Sequence, residues 1–456
     1  MEKERRKELY RLQNMVTYIA GDSLSIMAAA ATEDGNAEAG YKYLVEGNAF
    51  STGIPVEVYK FLYKIKDSKL AQLAGYTKFS MNDFVIFKNE KGRSTATAGC
   101  LHCHAQQFNN SYVIGLGNSY SSFQRNPYTS IKFIKTAIKN IYGKNSDEYK
   151  TAQRAFVAMQ MLQGRIQTEM QGPTPAQKIA EVMASHRDPV SLKFRTDTEY
   201  FSVPNIVIPE DPPALWFSKK RKALGVNAMR QGGVLKHIVS ISLLTLKDTA
   251  EAREIYKHSI DVWAYIKTLS PPKYPFEINK SLAEKGKRIF LQTCSSCHGK
   301  YGDEEYYPNK LIPPDIIGTD SLMWKYFINY TGYTDWFNKS WFAASEPKSF
   351  TKPQRGYVPP PLDGVWITAP YFHNGSVPTI ENVLNSNYRP RYWKRNFNKE
   401  EYDYEKLGWR YKTLSKPGSK KMYNTDIPGY GNYGHTFGDY STTAERKSVI
   451  EYLKTL

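Results

Sequence analysis

Apolar residues recur at helical spacing in several stretches, set apart by glycine- and proline-rich breaks, and this predicts a mainly helical chain with long loops and few short strands. Leu9, Leu12, Val16 and Ile19 open residues 1–60 as helix, after which the chain loops through Gly35, Gly40 and Gly47. Phe84-Val85-Ile86-Phe87 reads as strand and residues 92–99 as loop. Helical stretches are expected over 127–142 and 147–170, followed by a proline-bearing link at 172–175. Pro204, Pro209, Pro212 and Pro213 end the first half. Residues 222–268 read as helix again, and Ser270-Pro271-Pro272 marks a boundary. Beyond it a helix over 279–293 carries Leu282, Ile289 and Phe290 on one face, with Gly286 small enough for another helix to cross closely. Thr442 and Glu445 form a capping box, and Val449, Tyr452, Leu453 and Leu456 then make an i, i+3, i+4, i+7 stripe. Three segments are expected: 1–60, 61–270 and 271–456.

Length and composition narrow the class without giving a function. A chain of 456 residues exceeds one ordinary core, and 41% apolar with 14% aromatic residues excludes bulk disorder. The longest membrane candidate, residues 238–246, is broken by two serines and a threonine, so no transmembrane segment is expected. A net charge of +18 would draw polyanions, but no nucleic-acid motif accompanies it; acidic redox partners or a negatively charged envelope surface fit as well.

The four cysteines change the picture. They fall as Cys100-Leu101-His102-Cys103-His104 and Cys294-Ser295-Ser296-Cys297-His298, two copies of the C-x-x-C-H attachment signature of c-type haem. On one helical turn, positions i, i+3 and i+4 share a face, so two thiols reach the porphyrin vinyl groups while the imidazole reaches the iron. Two disulfides would leave the histidine after each pair unexplained. A four-cysteine zinc site would have to bridge a gap of roughly 190 residues, far outside zinc-knuckle spacing. A thioredoxin-like pair lacks its strand–helix frame. The expectation is two covalently bound haems c, in two cytochrome c-like domains over 61–270 and 271–456, after an N-terminal helical segment over 1–60. Haem c attachment implies export to a periplasmic or envelope-associated location. Residues 1–6 lack the apolar run of a secretory signal, and residues 15–20 are too short for one, so the numbering is expected to start after a removed signal or a lipid tether.

Each motif supplies one axial ligand, His104 and His298. His435 sits in Gly431-Asn432-Tyr433-Gly434-His435-Thr436-Phe437-Gly438, a flexible loop before a capped helix, and either ligates the second iron or bonds backbone. His373, in a turn leading to a helix capped by Thr379, orders that turn, bonds a haem propionate or ligates iron; Met422 is a further candidate ligand. No histidine occurs between 105 and 185, so only His186, His237, His258 or a methionine such as Met229 could reach the first iron, by tertiary approach. The first haem is therefore expected to be open on its distal side.

The run Gly356-Tyr357-Val358-Pro359-Pro360-Pro361-Leu362-Asp363-Gly364-Val365-Trp366-Ile367-Thr368-Ala369-Pro370-Tyr371-Phe372-His373-Asn374-Gly375-Ser376 resembles the second-haem domain of the di-haem cytochrome c peroxidase superfamily. The insertion from Tyr388-Arg389-Pro390-Arg391-Tyr392-Trp393 to Tyr404, the Gly434–Gly438 loop and Asp211-Pro212-Pro213-Ala214-Leu215-Trp216 are most similar to its rubber-oxygenase-like branch. That resemblance implies His435 as the second ligand of the C-terminal haem and the haem on His104 as the one meeting dioxygen or peroxide. It also implies a tryptophan between the haems. Val226 stands at that position, and Trp216 is the neighbouring substitute; the peroxidases' acid falls near Leu246, with Asp248 the first carboxylate beyond it. Peroxide cleavage needs a group to move a proton, so dioxygen chemistry, or no substrate chemistry, stays in play. The leading expectation is an exported di-haem oxidoreductase with a redox partner protein and a small oxidant. The rivals are a non-catalytic electron carrier or subunit of a larger envelope complex, which 34 tyrosines and the basic charge would suit, and a gas or redox sensor.

Overall fold

The computed structural model describes residues 2–14, 34–63, 84–89, 91–125, 127–344, 346–418 and 421–456. Among them the chain is mainly helical, with small antiparallel sheets of two or three strands.

Helix Lys280–Thr293, N-capped by the Asn279 side chain on the Leu282 amide, packs against the closing helix Thr443–Leu453. They cross at Gly286, where a Cβ would lie 1.9 Å from the Ser448 carbonyl oxygen. The buried stripe runs through Ala283, Gly286 and Phe290; Leu282 lies one position off it and is 39% exposed, contrary to the pattern reading. The Thr442–Glu445 capping box is present as expected, and Val449, Tyr452 and Leu453 are buried.

The N-terminal helix Glu2–Asn14 buries Leu9 and Leu12 against helix Leu322–Asn329; Val16 and Ile19 lie outside the described residues. Where glycines suggested a loop, Ala37–Glu46 is a helix, capped by the Asn36 side chain. This helix carries glycine at position 40 because a partner helix, Thr249–Thr268, passes so close that a Cβ would meet the Asp261 carbonyl at 1.9 Å.

Residues 92–99 are not all loop either. Ser94–Ala98 pairs antiparallel with Phe84–Lys88 and with Ile54–Pro55, its β-branched Thr95 and Thr97 buried beside Ala96. The Asn89 side chain closes the intervening turn by accepting from the Lys91 and Arg93 amides. The expected helix over 147–170 spans Asp147–Met161, after which the chain turns at Gly164. The stretch 222–268 divides. Arg230–Gly232 is a strand paired with Ser349–Thr351, Val234–Ser240 a short helix, and the Asp248 carboxylate caps Thr249–Thr268 by accepting from the Ala250 and Glu251 amides.

The largest apolar cluster draws on both sides of position 270. Phe108, Leu116, Trp216 and Phe217 pack in it with Phe290, Trp366, Trp409 and Tyr452. No helix among the described residues is long and apolar enough to cross a membrane.

Candidate functional site

Both cysteine pairs fold as single helical turns. In the first, Leu101–His104, the His104 amide bonds the Cys100 carbonyl (3.3 Å), and a hairpin, Ala105–Phe108 with Ser111–Ile114, follows at once. In the second, Ser295–His298, the His298 amide bonds the Cys294 carbonyl (3.0 Å) directly after the long helix Lys280–Thr293. None of the four cysteines forms a disulfide, and no cluster of three or more metal-ligating side chains occurs among the described residues.

The two motif histidines are held alike. His104 Nδ1 lies 3.1 Å from the Pro213 carbonyl and His298 Nδ1 3.0 Å from the Pro360 carbonyl. A carbonyl only accepts, so each Nδ1 carries the proton and each Nε2 keeps its lone pair for a metal. Desolvation lowers both pKa values, against the opposing carbonyl bonds, which keeps the rings neutral. Trp216 joins the two supports. It follows Pro213 by three residues, is 1% exposed, and its Nε1 donates to the carbonyl of Asp363, three residues after Pro360 (2.9 Å).

Beside the second motif lies a cavity of about 460 Å³. Its walls carry Cys294, Cys297 and His298 on one side and His435 and Phe437 on the other, with Phe290, Leu384 and Leu453 among the apolar lining. The His435 loop is pinned from several directions. The buried Asp320 carboxylate accepts from the Gly429 and Gly431 amides (3.0 and 3.1 Å). Asn374 Nδ2 donates to the carbonyls of the same two glycines, and Ser376 Oγ donates to Gly431. The His435 amide bonds the Ile317 carbonyl (2.7 Å), and Gly434 touches Gly318 so closely that a Cβ would lie 2.2 Å from its carbonyl carbon. Desolvation drops the His435 pKa to about 3, so this imidazole too is neutral.

These residues fit a haem. Two imidazoles ligating one metal from opposite sides, at about 2.0–2.1 Å per bond, hold their ring centroids about 6.3 Å apart. The His298 and His435 centroids are 6.2 Å apart, their planes at 65°. A cavity of this size, apolar with a few polar groups, suits a cofactor. Arg221 lines it, donating Nη2 to the Gly225 carbonyl (2.7 Å) and leaving its buried Nε without a partner, as a carboxylate-bearing ligand would require. Asp211 lines it as well, its carboxyl pushed well up by burial. His373 shares the cavity but stacks on Tyr357 (4.3 Å, 24°), and its carbonyl accepts from the Asp211 amide (2.8 Å). Met422 is buried away from this lining.

The first motif has different surroundings. The cavity beside Cys100 is about 30 Å³, lined also by Tyr43, Val85 and Val262. Among the described residues no second histidine ring packs against His104. His186 bonds the Thr198 carbonyl (3.0 Å), and His237 bonds the Gln231 carbonyl (3.0 Å) while stacking on Phe337. His258 stacks on Tyr43 (4.2 Å), and Met229 packs with Leu322 and Tyr357.

Sequence reasoning singled out the histidines but not what fixes them. The two proline carbonyls, Asp320, Asn374 and Ser376 act through tertiary hydrogen bonds. Their only trace in the sequence is that several fall in the proline- and glycine-rich runs around 211–216 and 356–376.

A RoxA-like, cytochrome c-like family model matches residues 356–394, linking the chain to cytochromes c and to haem c. That segment supplies Pro360, Asn374 and Ser376. The chain is similar to two uncharacterized proteins of Sinorhizobium fredii. It is 41% identical to y4iJ, over 41% of this chain and 41% of that protein, and 28% identical to y4iM, over 32% and 37%. It thus spans about two fifths of the length of the curated relatives it matches.

Proposed function

We propose that this chain is an exported di-haem c-type oxidoreductase of the di-haem peroxidase superfamily, near its rubber-oxygenase-like branch, with one haem domain on each side of position 270. Haem c on each motif supplies a one-electron centre, and an open one also binds a small oxidant. The observation that carries the reading is the 6.2 Å spacing of the His298 and His435 rings across the cavity at the second motif.

In this reading His298 and His435 would hold the iron of the C-terminal haem between them, which would suit that haem to electron transfer. The Pro360 carbonyl orients His298, while the apolar lining limits water and so favours fast, reversible electron exchange. Cys294 and Cys297 fix that haem covalently, as Cys100 and Cys103 fix the other. His104, oriented by Pro213, holds the N-terminal haem, and no imidazole opposes it among the described residues, which supports that haem as the site meeting dioxygen or peroxide. Trp216, three residues along the chain from Pro213 and hydrogen-bonded to the Asp363 carbonyl three residues beyond Pro360, is the natural bridge for an electron between the two haems.

The second reading is an electron carrier or complex subunit that catalyses nothing. The net charge of +18 favours it, since a basic protein would dock on an acidic redox partner. Reduced protein with and without carbon monoxide separates the two. One Soret band shifting and one fixed is the result expected of the oxidoreductase; two unmoved bands would establish the carrier.

A further inference from the structure

Arg389 uses all of its donors on backbone carbonyls, three of them in the His435 loop. A guanidinium has five N–H groups. Nε donates to the Asn382 carbonyl (2.9 Å), and one Nη2 hydrogen goes to the Val383 carbonyl (3.1 Å). The other Nη2 hydrogen goes to the His435 carbonyl (2.9 Å), and Nη1 donates to the carbonyls of Asn432 (2.8 Å) and Gly434 (2.5 Å). The guanidinium also lies over the Phe372 ring, 5.0 Å from its centroid. Two of the acceptors belong to the short helix Ile380–Leu384, whose Val383 and Leu384 line the cavity, and three belong to the loop.

The placement of the three loop acceptors is what matters. His435 has φ of +45°, a left-handed conformation that a side-chain-bearing residue adopts only when its surroundings impose it. The Gly434 carbonyl belongs to the peptide plane before the His435 Cα, and the His435 carbonyl to the plane after it. Pinning both planes fixes φ and ψ of His435 together, and so the direction in which its imidazole leaves the backbone. Lysine could not do this, having three donors on a compact head rather than a planar fork of five.

We propose that Arg389 is the positioning residue that locks His435 in its left-handed conformation and delivers its imidazole across the cavity toward His298. This inference rests on the reading of His435 as the second axial ligand. It places the clamp within the matched 356–394 segment and the clamped ligand outside it.

The test is the optical and electron paramagnetic spectrum of the two-haem protein carrying His435→Ala, Arg389→Lys or Arg389→Gln, with and without carbon monoxide and added imidazole. H435A should convert one low-spin haem to high-spin, and added imidazole should restore it. R389K should raise the ligand-detached, carbon-monoxide-reactive fraction of that haem roughly tenfold, the scale set by losing two or so hydrogen bonds. R389Q should raise it further, and imidazole should suppress it in both. Should R389Q fail to mature with two haems, R389K gives the answer, because it keeps the charge and most of the packing. A merely structural arginine would lower the melting temperature and leave the spin state alone, and that result, with H435A high-spin, overturns the proposal. An unchanged H435A spectrum overturns the ligand reading itself, and the role of Arg389 with it.

Discussion

The two C-x-x-C-H turns are nearly the same object set in two different surroundings. Each is one helical turn, and each presents a neutral histidine whose Nδ1 is bonded to a proline carbonyl, at 3.1 Å for His104 and 3.0 Å for His298. They differ on the far side. His298 faces a 460 Å³ cavity and a second imidazole carried by a loop whose backbone Asp320, Asn374, Ser376 and Arg389 bond at Gly431, Asn432, Gly434 and His435. His104 meets no such ring among the described residues, and the space beside Cys100 is about 30 Å³. In the di-haem reading, attachment and proximal orientation would be properties of the motif and its proline. Whether the iron is saturated would be decided by a separate element, placed by tertiary contacts that the motif does not encode.

The largest effect expected is on haem content. Denaturing, reducing mass spectrometry should find the chain plus two haems. The double variant Cys294→Ala/Cys297→Ala should carry one and keep the spectrum of the N-terminal haem, and Cys100→Ala/Cys103→Ala the reverse. If either variant loses both haems, the two sites mature as one unit and the contrast between them loses its meaning. Recovery of the bare chain mass from the parent protein would remove the haem reading altogether.

Trp216 tests whether the two surroundings are joined. Trp216→Ala removes a side chain that is 1% exposed in the cluster shared by both halves and should cost about 3–5 kcal/mol in urea unfolding. Trp216→Phe keeps most of the packing but leaves the Asp363 carbonyl without its donor, which should cost about 1–3 kcal/mol. It should also slow electron exchange between the haems in flash photolysis. An unchanged exchange rate in W216F would show that the electron does not use the indole.

Two glycines show how much of this was legible beforehand. Gly286 reads as a close crossing because Ile289 and Phe290 frame it in an apolar stripe, and the structure places it there. Gly40 plays the same part against Asp261 but reads as loop, since Gly35 and Gly47 on either side make it look like one of a series of breaks. A glycine's role depends on what passes beside it, which the local sequence does not contain. The same limit hides Ser94–Ala98, whose threonines suit a strand but lie in a glycine-flanked stretch that reads as loop until Phe84–Lys88 pairs with it. Likewise nothing in the order of residues ties Asp320 or Arg389 to a loop that lies more than forty positions from the nearer of them. The covalent motifs were legible because their chemistry is local, and His435 because a glycine-rich loop before a capped helix is a local pattern.

The glycines also sharpen the comparison. Gly286→Ala and Gly40→Ala each drive a methyl into a backbone carbonyl 1.9 Å away, and each should cost about 1–3 kcal/mol as the helices separate. G286A should disturb only the haem on His298, because that crossing carries the helix leading into Cys294. G40A should disturb only the haem on His104, because the helix of Gly40 packs in the cluster around Leu101 and Cys100. A spectrum changed at the opposite haem would show that the shared core transmits strain between the sites.

The smallest effect concerns His237, which lies in the first half with its ring bonded to backbone and stacked on Phe337. Its Nε2 bonds the Gln231 carbonyl, its ring stacks on Phe337 at 5.0 Å, and burial lowers its pKa to about 4. In the unfolded chain a histidine titrates near about 6.5. Between those values the unfolded chain takes up a proton that the native ring refuses, so stability is highest above about pH 6.5 and falls as the pH drops toward 4. By pH 5.5 the loss should be about 1.4 kcal/mol. His237→Gln, whose amide can still donate to Gln231, should shrink the difference in urea-unfolding free energy between pH 7 and pH 5.5 by about 1.2 kcal/mol while leaving both haem spectra untouched. An unchanged pH dependence would mean that the native ring is already exposed to protons. A changed spectrum of the haem on His104 would instead make His237 its missing ligand, and would erase the contrast between the two sites.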